Sequence, residues 1–209
     1  MKNKSLFSFV LIAILGAWAI VLRMFDFPIL PAAPFLKIDF SDLMVLIGLL
    51  VKGPIGAVGV AFVRDLANYL MKGGEGGIPI GTAMSFIASM AMFLPNHFLL
   101  KHFIRKSKWA SYGLMSLVLS TGLVLSMALF NYYIALPIYV TVMNFPIDDI
   151  GAYLMTVIIP FNLIKAVFLS IGQIVVIEKI WPLITKRHIQ YPAYPIQLKQ
   201  DQLKLQSHG

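Results

Sequence analysis

The chain has 209 residues, 59% of them apolar and 12% charged, with no cysteine; an ordinary soluble domain is about 25% charged. This composition excludes a soluble globule, a disordered chain, a disulfide scaffold and thiolate metal or redox chemistry, and predicts an all-α membrane protein. The net charge of +8 lies between apolar runs and not on a soluble basic face, so it is read as topology charge and no nucleic-acid partner is expected.

Length admits about six helical spans of roughly 20 residues and no further soluble catalytic or nucleotide-binding domain. The first apolar run, Ser5 to Leu22, follows Lys2 and Lys4 but lacks a small-residue cleavage pattern at Arg23-Met24-Phe25-Asp26, so it is expected to stay attached as span one, about Leu6 to Phe25. Pro28, Pro31 and Pro34 then dictate a non-helical first loop. Span two, about Phe40 to Val51, has only nine uncharged residues between Asp42 and Lys52, and must tilt, start deep beneath a folded-in loop or pack against protein. Span three starts at Pro54, a favourable first-turn residue, and runs to about Met71 with Arg64 and Asp65 inside it. A glycine-rich turn, Lys72 to Gly77, leads to span four, about Ile78 to Leu100, and to the basic segment Lys101 to Lys108. Pro137 and Pro146 break the uncharged stretch Trp109 to Ile147, predicting span five from about Tyr112 to Ala135 and an extended outer loop to Asp149. Span six is expected from about Ile150 to Ile180, kinked near Pro160 and carrying Lys165. This makes one six-helix domain over 1–181 and a polar tail over 182–209.

Charge asymmetry orients the spans, because Lys and Arg are retained on the cytoplasmic side. With both termini inside, 12 of the 17 basic residues fall there, while Arg23, Lys37, Arg64, Lys72 and Lys165 fall outside or within the membrane, as do seven of the nine acidic residues.

Ala13 and Ala17 lie four apart beside Gly16, a small-residue face on which another helix can dock, either within the molecule or from a partner. Asn162 and Lys165 share one face of span six, and Asn131 sits in the outer half of span five. A lysine at that depth costs about 2.5 to 3.5 kcal/mol by insertion scales, so it faces a structural ion pair or a polar ligand. Arg64 and Asp65 point about 100° apart on a helix and are expected to pair with other spans, Asp42 for instance, and not with each other. Asp148-Asp149 reads as a solvated loop and helix start, and His97 and His102 as interfacial residues. No phosphate-binding loop, HExxH or GxSxG occurs, and Gly73-Gly74-Glu75-Gly76-Gly77 lacks nucleotide-loop context. No catalytic residue, metal site or cofactor is expected.

Three segments carry a resemblance: Phe35-Leu36-Lys37-Ile38-Asp39-Phe40-Ser41-Asp42-Leu43, Gly77 to Phe86 (GIPIGTAMSF), and Pro160-Phe161-Asn162-Leu163-Ile164-Lys165-Ala166. In these the sequence resembles the riboflavin-specific substrate-binding (S) components of energy-coupling factor (ECF) vitamin transporters, over Ala13 to Glu178. The resemblance implies a multi-pass plasma-membrane subunit that binds riboflavin as substrate, on the outer side under the first loop. Its implied partners, besides membrane lipid, are a T component and two cytoplasmic ATPases. Implied ligand contacts are Leu36, Lys37, Asp39 and Phe40 in the first loop, Asn131, and Asn162 with Lys165. Ala13 and Ala17 match the motif that docks on the T component. The isoalloxazine ring needs an apolar slot closed by a few amide-type groups, and Met84 is a candidate wall. An S component for thiamine or biotin, or a non-transport membrane assembly subunit, is the alternative.

Overall fold

The computed structural model describes residues 2–30, 33, 36–74, 76–102 and 108–194, with side chains from residue 6. The first-loop residues Pro31, Pro34 and Phe35, the residues Glu75, Arg105, Lys106 and Ser107, the side chains of Lys2 and Lys4, and the tail from 195 onward lie outside this description.

Among the described residues, five helices are long and apolar enough to cross a membrane: Leu6–Met24, Ser41–Lys72, Ile80–Lys101, Lys108–Met143 and Ile150–Lys186. The regular α-helical pieces are α1 (Lys2–Met24), α2 (Ser41–Lys72), α3 (Ile80–Lys101), α4 (Lys108–Phe130), α5 (Leu136–Met143), α6 (Ile150–Tyr153), α7 (Ile159–Val175) and α8 (Trp181–Lys186). Between α1 and α2 the first loop forms a short antiparallel pair, β1 (Phe27–Pro28) and β2 (Lys37–Ile38), with Phe27 opposite Ile38.

Although α2 is unbroken in sequence, it reverses direction. Gly53 adopts φ 65° and ψ −154°, a conformation open in practice only to glycine, and Pro54 starts the second arm. Arg64 lies 2.7 Å from Asp42, whereas 22 residues of straight helix would separate them by about 33 Å at 1.5 Å per residue. The two arms touch through backbone: a Cβ on Gly56 would sit 2.1 Å from the Gly48 carbonyl oxygen. The sequence expectation of a short second span followed by a third beginning at Pro54 thus corresponds to two arms of one folded-back helix. The short arm is largely buried, including Leu46, Leu49 and Leu50.

Past Ala135 the structure departs from the sequence reading. The stretch expected as an extended outer loop is helical to Met143, and only residues 144–149 are irregular. The reason is a π-helical turn, Asn131–Ala135, in which the Leu136 N–H reaches back five residues to the Asn131 carbonyl. That shift in register accommodates Pro137, which has no N–H to donate and would crowd the carbonyl four residues earlier. The device recurs. Leu154–Ile158 precedes Pro160, and Val176–Ile180 precedes Pro182. The last helical stretch therefore continues six residues beyond the expected end at Ile180, to Lys186.

The main core joins α2, α3, α4 and α7 through Leu46, Leu49, Met92, Phe93, Leu119 and Leu169, and includes Trp181. A second cluster, around Ile80, Leu136, Tyr139 and Ile158, closes the other end. After α8 the chain folds back on the bundle. The Tyr191 N–H donates to the Leu50 carbonyl at 2.8 Å, and the Tyr194 hydroxyl lies 2.8 Å from His97 Nδ1. Burial pushes the Tyr194 phenol above its ordinary pKa, which keeps it a neutral hydroxyl.

Candidate substrate site

A cavity of about 220 Å³ opens between the first loop and α2, α3, α4, α5 and α7. Leu36, Lys37, Asp39, Met84, Asn131, Asn162 and Lys165 all line it, although they come from segments up to 129 positions apart. Phe40 is not among the lining residues; it precedes the first turn of α2 and is 40% exposed.

The walls follow from local structure. Asn131 opens the first π-helical turn, and its amide nitrogen donates to the Met127 carbonyl at 2.7 Å. Asn162 follows Pro160 by two residues and donates likewise to Ile158 at 2.8 Å. Both side chains are thereby held against their own helices, leaving the carboxamide oxygen and one hydrogen of each for the cavity. Apolar surface comes from Met84, Leu123, Met127 and Phe161. The site is therefore a slot with a few fixed hydrogen-bonding groups, the arrangement expected for a flat, largely apolar ligand with a polar edge.

Beneath the slot lies a buried ion cluster. Arg64, fully buried, places Nη1 2.7 Å from Asp42 Oδ1 and Nη2 2.8 Å from Asp65 Oδ2. Nη1 also lies 3.1 Å from the Ser41 hydroxyl oxygen, and Nη2 lies 3.0 Å from that of Ser85 and 2.9 Å from that of Ser89. Asp65 also binds Arg23 from α1, and Asp42 Oδ2 lies 3.3 Å from Lys165 Nζ. The Asp42 partner for Arg64 agrees with the sequence expectation. The expectation that Arg64 and Asp65 do not pair is overturned: Nε and Nη2 grip both carboxylate oxygens of Asp65. The 100° between neighbouring Cβ directions does not bound the reach of a four-bond side chain, and the guanidinium fork spans a carboxylate in bidentate fashion.

At the mouth, Asp26 lies 3.1 Å from Lys37 on β2 and 3.4 Å from Lys72 at the end of α2. These pairs tie the first loop across the opening.

Arg23, Asn68, Tyr139 and Phe161 also line the cavity and escaped the sequence reading. Tyr139 had a signal. Leu136, Tyr139, Val140 and Met143 keep the i, i+3, i+4, i+7 spacing of a helix face, which Pro137 masked. Arg23 and Asn68 had none beyond polarity near a span end.

Ala13 and Ala17 do not line this cavity and are exposed on α1, while Gly16 between them is buried against Val63 of α2. Packing of this helix inside the molecule therefore uses Gly16 and Ala19, not the two alanines.

Residues 7–177 match the family profile described as ECF transporter, substrate-specific component. The chain belongs to that family. Among curated relatives, it is 31% identical to the riboflavin transporter FmnP of Bacillus subtilis over 191 residues, 90% of this chain and 97% of that one. It is 38% identical to the riboflavin transporter RibU of Streptococcus thermophilus over 165 residues, covering 77% and 76%. A solved structure, described as the S component of a bacterial ECF transporter, superposes with a TM-score of 0.67 at 29% identity and covers 88% of this chain and 99% of its own. This S component is thus a multi-pass membrane subunit of a transporter, not an enzyme.

Proposed function

We propose that this S component binds riboflavin in the cavity beneath the first loop and hands it inward when docked on a T component energised by two ATPase subunits. The observation that carries the proposal is the convergence of Asn131, Asn162 and Lys165 with apolar walls on one cavity. An imide flanked by carbonyls matches two carboxamides and a cation, and the dimethylbenzene end matches Met84, Leu123 and Phe161. The names of the FmnP and RibU relatives support the same ligand. Riboflavin is the cargo, so no cofactor is assigned. A cationic ligand such as thiamine is disfavoured by Lys165 at the wall. Titration of the detergent-purified chain with riboflavin, followed by quenching of flavin fluorescence, is expected to saturate at one equivalent; no quenching removes riboflavin as the ligand.

In this reading the two arms of α2 cross separately, giving six crossings with both termini in the cytoplasm, and the segment after Trp181 lies on the cytoplasmic face. Single cysteines at 73 and 144 are expected to react with an impermeant reagent from outside in a chain that has no natural cysteine; protection of both reverses the orientation. Ala13 and Ala17, outward-facing on α1, are the surface offered to the T component, since small side chains let a second helix approach closely in lipid. Ala13→Trp and Ala17→Trp are expected to abolish uptake while leaving riboflavin affinity unchanged, and normal uptake by both variants refutes the docking role.

A further inference from the structure

Asp42 does not line the cavity, yet it is the only described carboxylate in ion-pair contact with Lys165. Its two oxygens are divided. Oδ1 receives Arg64 Nη1 at 2.7 Å and the Ser89 hydroxyl at 2.6 Å, while Oδ2 faces Lys165 Nζ at 3.3 Å. Arg64 in turn is held by Asp65, Ser41 and Ser85, so Oδ1 is clamped by groups other than Lys165 while Oδ2 faces the ammonium. Lysine has a flexible four-carbon stem and no planar fork of its own; in an apolar wall its ammonium is located by whatever anion it can reach.

We infer that Asp42 is a positioning residue for substrate: clamped by Arg64 and Ser89, it holds the Lys165 ammonium at one place on the cavity wall as a pre-oriented donor. The inference rests on the proposed ligand role of Lys165. It adds a specificity rule, because an ammonium donates and never accepts: the group of the substrate that meets this point must be an acceptor, a ring carbonyl or an anion. It also gives the buried cluster a task beyond joining helices. Arg64 and Ser89 stiffen the carboxylate, the carboxylate fixes the lysine, and the substrate meets an ammonium whose ordering cost has already been met in folding.

A double-mutant cycle on riboflavin affinity decides it, measured by fluorescence quenching on the monodisperse fraction of each full-length variant. Asp42→Asn is expected to weaken binding about 10-fold or more, the scale of a lost charge-assisted contact, and Lys165→Met to weaken it similarly. In the Lys165→Met background, Asp42→Asn is expected to change affinity by less than about twofold, because its effect passes through the missing ammonium. Equal losses in both backgrounds, or no loss from Asp42→Asn alone, overturn the positioning role while leaving the ligand site intact. Full affinity in Lys165→Met overturns the ligand role of that lysine and the inference together. If Asp42→Asn does not fold, Ser89→Ala enters the same cycle; it removes one clamp, lies outside the cavity lining, and is expected to weaken binding about threefold only where Lys165 is present. Any other pattern from Ser89→Ala counts against the inference.

Discussion

Two ionic clusters flank the cavity, built from the same residue types and placed in different surroundings. The deep one, Arg23, Asp42, Arg64, Asp65 and Lys165, has side chains between 0 and 14% exposed; at the mouth, Lys37 and Lys72 are 41 and 49% exposed around Asp26. In the deep cluster each charge is desolvated and survives only because every partner is present. At the mouth, water and salt compete for each pair, so the contacts hold the first loop loosely. Depth converts the same chemistry from a screened surface tie into a fixed scaffold.

The largest expected effect comes from breaking the scaffold at its centre. Arg64→Met takes from Asp42 and Asp65 the cation they share, leaving each with one remaining cationic partner, Lys165 and Arg23 respectively, and stability should fall by about 3 to 5 kcal/mol, the scale for breaking a buried ion pair. Thermal unfolding in detergent reads this; a melting profile like that of the unaltered chain means that water solvates the cluster and the contrast with the mouth is lost. An intermediate effect is expected at the cavity wall, where Asn162→Leu and Lys165→Met each remove a contact worth about 1 to 3 kcal/mol, or roughly 5- to 150-fold in riboflavin affinity. Unchanged affinity in both moves the site elsewhere. The smallest effect belongs to the mouth. Asp26→Asn should alter stability by less than about 1 kcal/mol and speed riboflavin release by about twofold to fivefold at low salt, with the difference shrinking in 1 M salt as screening removes the pairs in the unaltered chain too. Stopped-flow release at two salt concentrations tests it, and a large, salt-independent acceleration would place the mouth cluster in the same class as the deep one.

How much of this was legible beforehand depends on whether a feature is local. The membrane class, the helical spans, the break near Gly53-Pro54 and the polar residues Asn131, Asn162 and Lys165 follow from hydropathy and from the cost of polar groups in apolar runs. Pro137 misled for a specific reason. A proline forbids the regular hydrogen bond at its own position, but a π-helical turn before it moves the clash away and lets the helix run on to Met143; nothing in one proline distinguishes a break from such a turn. The apolar spacing after it, Leu136 to Met143, was the better guide, and it carried Tyr139 into the cavity.

By itself the sequence determined the solvent this chain folds in and which side chains are expensive enough there to require partners. It also determined where glycine and proline permit the backbone to turn. Only the tertiary structure decided how the charges are shared. Asp42 meets Arg64 because α2 doubles back at Gly53, and Asp65 serves both its neighbour Arg64 and the distant Arg23. Lys165 lines the cavity with its ammonium 3.3 Å from Asp42 Oδ2, a pair between α7 and the first turn of α2. The physical reason is range. Transfer energies and backbone torsions belong to single residues, whereas ion-pair geometry depends on angstrom-scale placement between segments that approach only when the whole bundle packs.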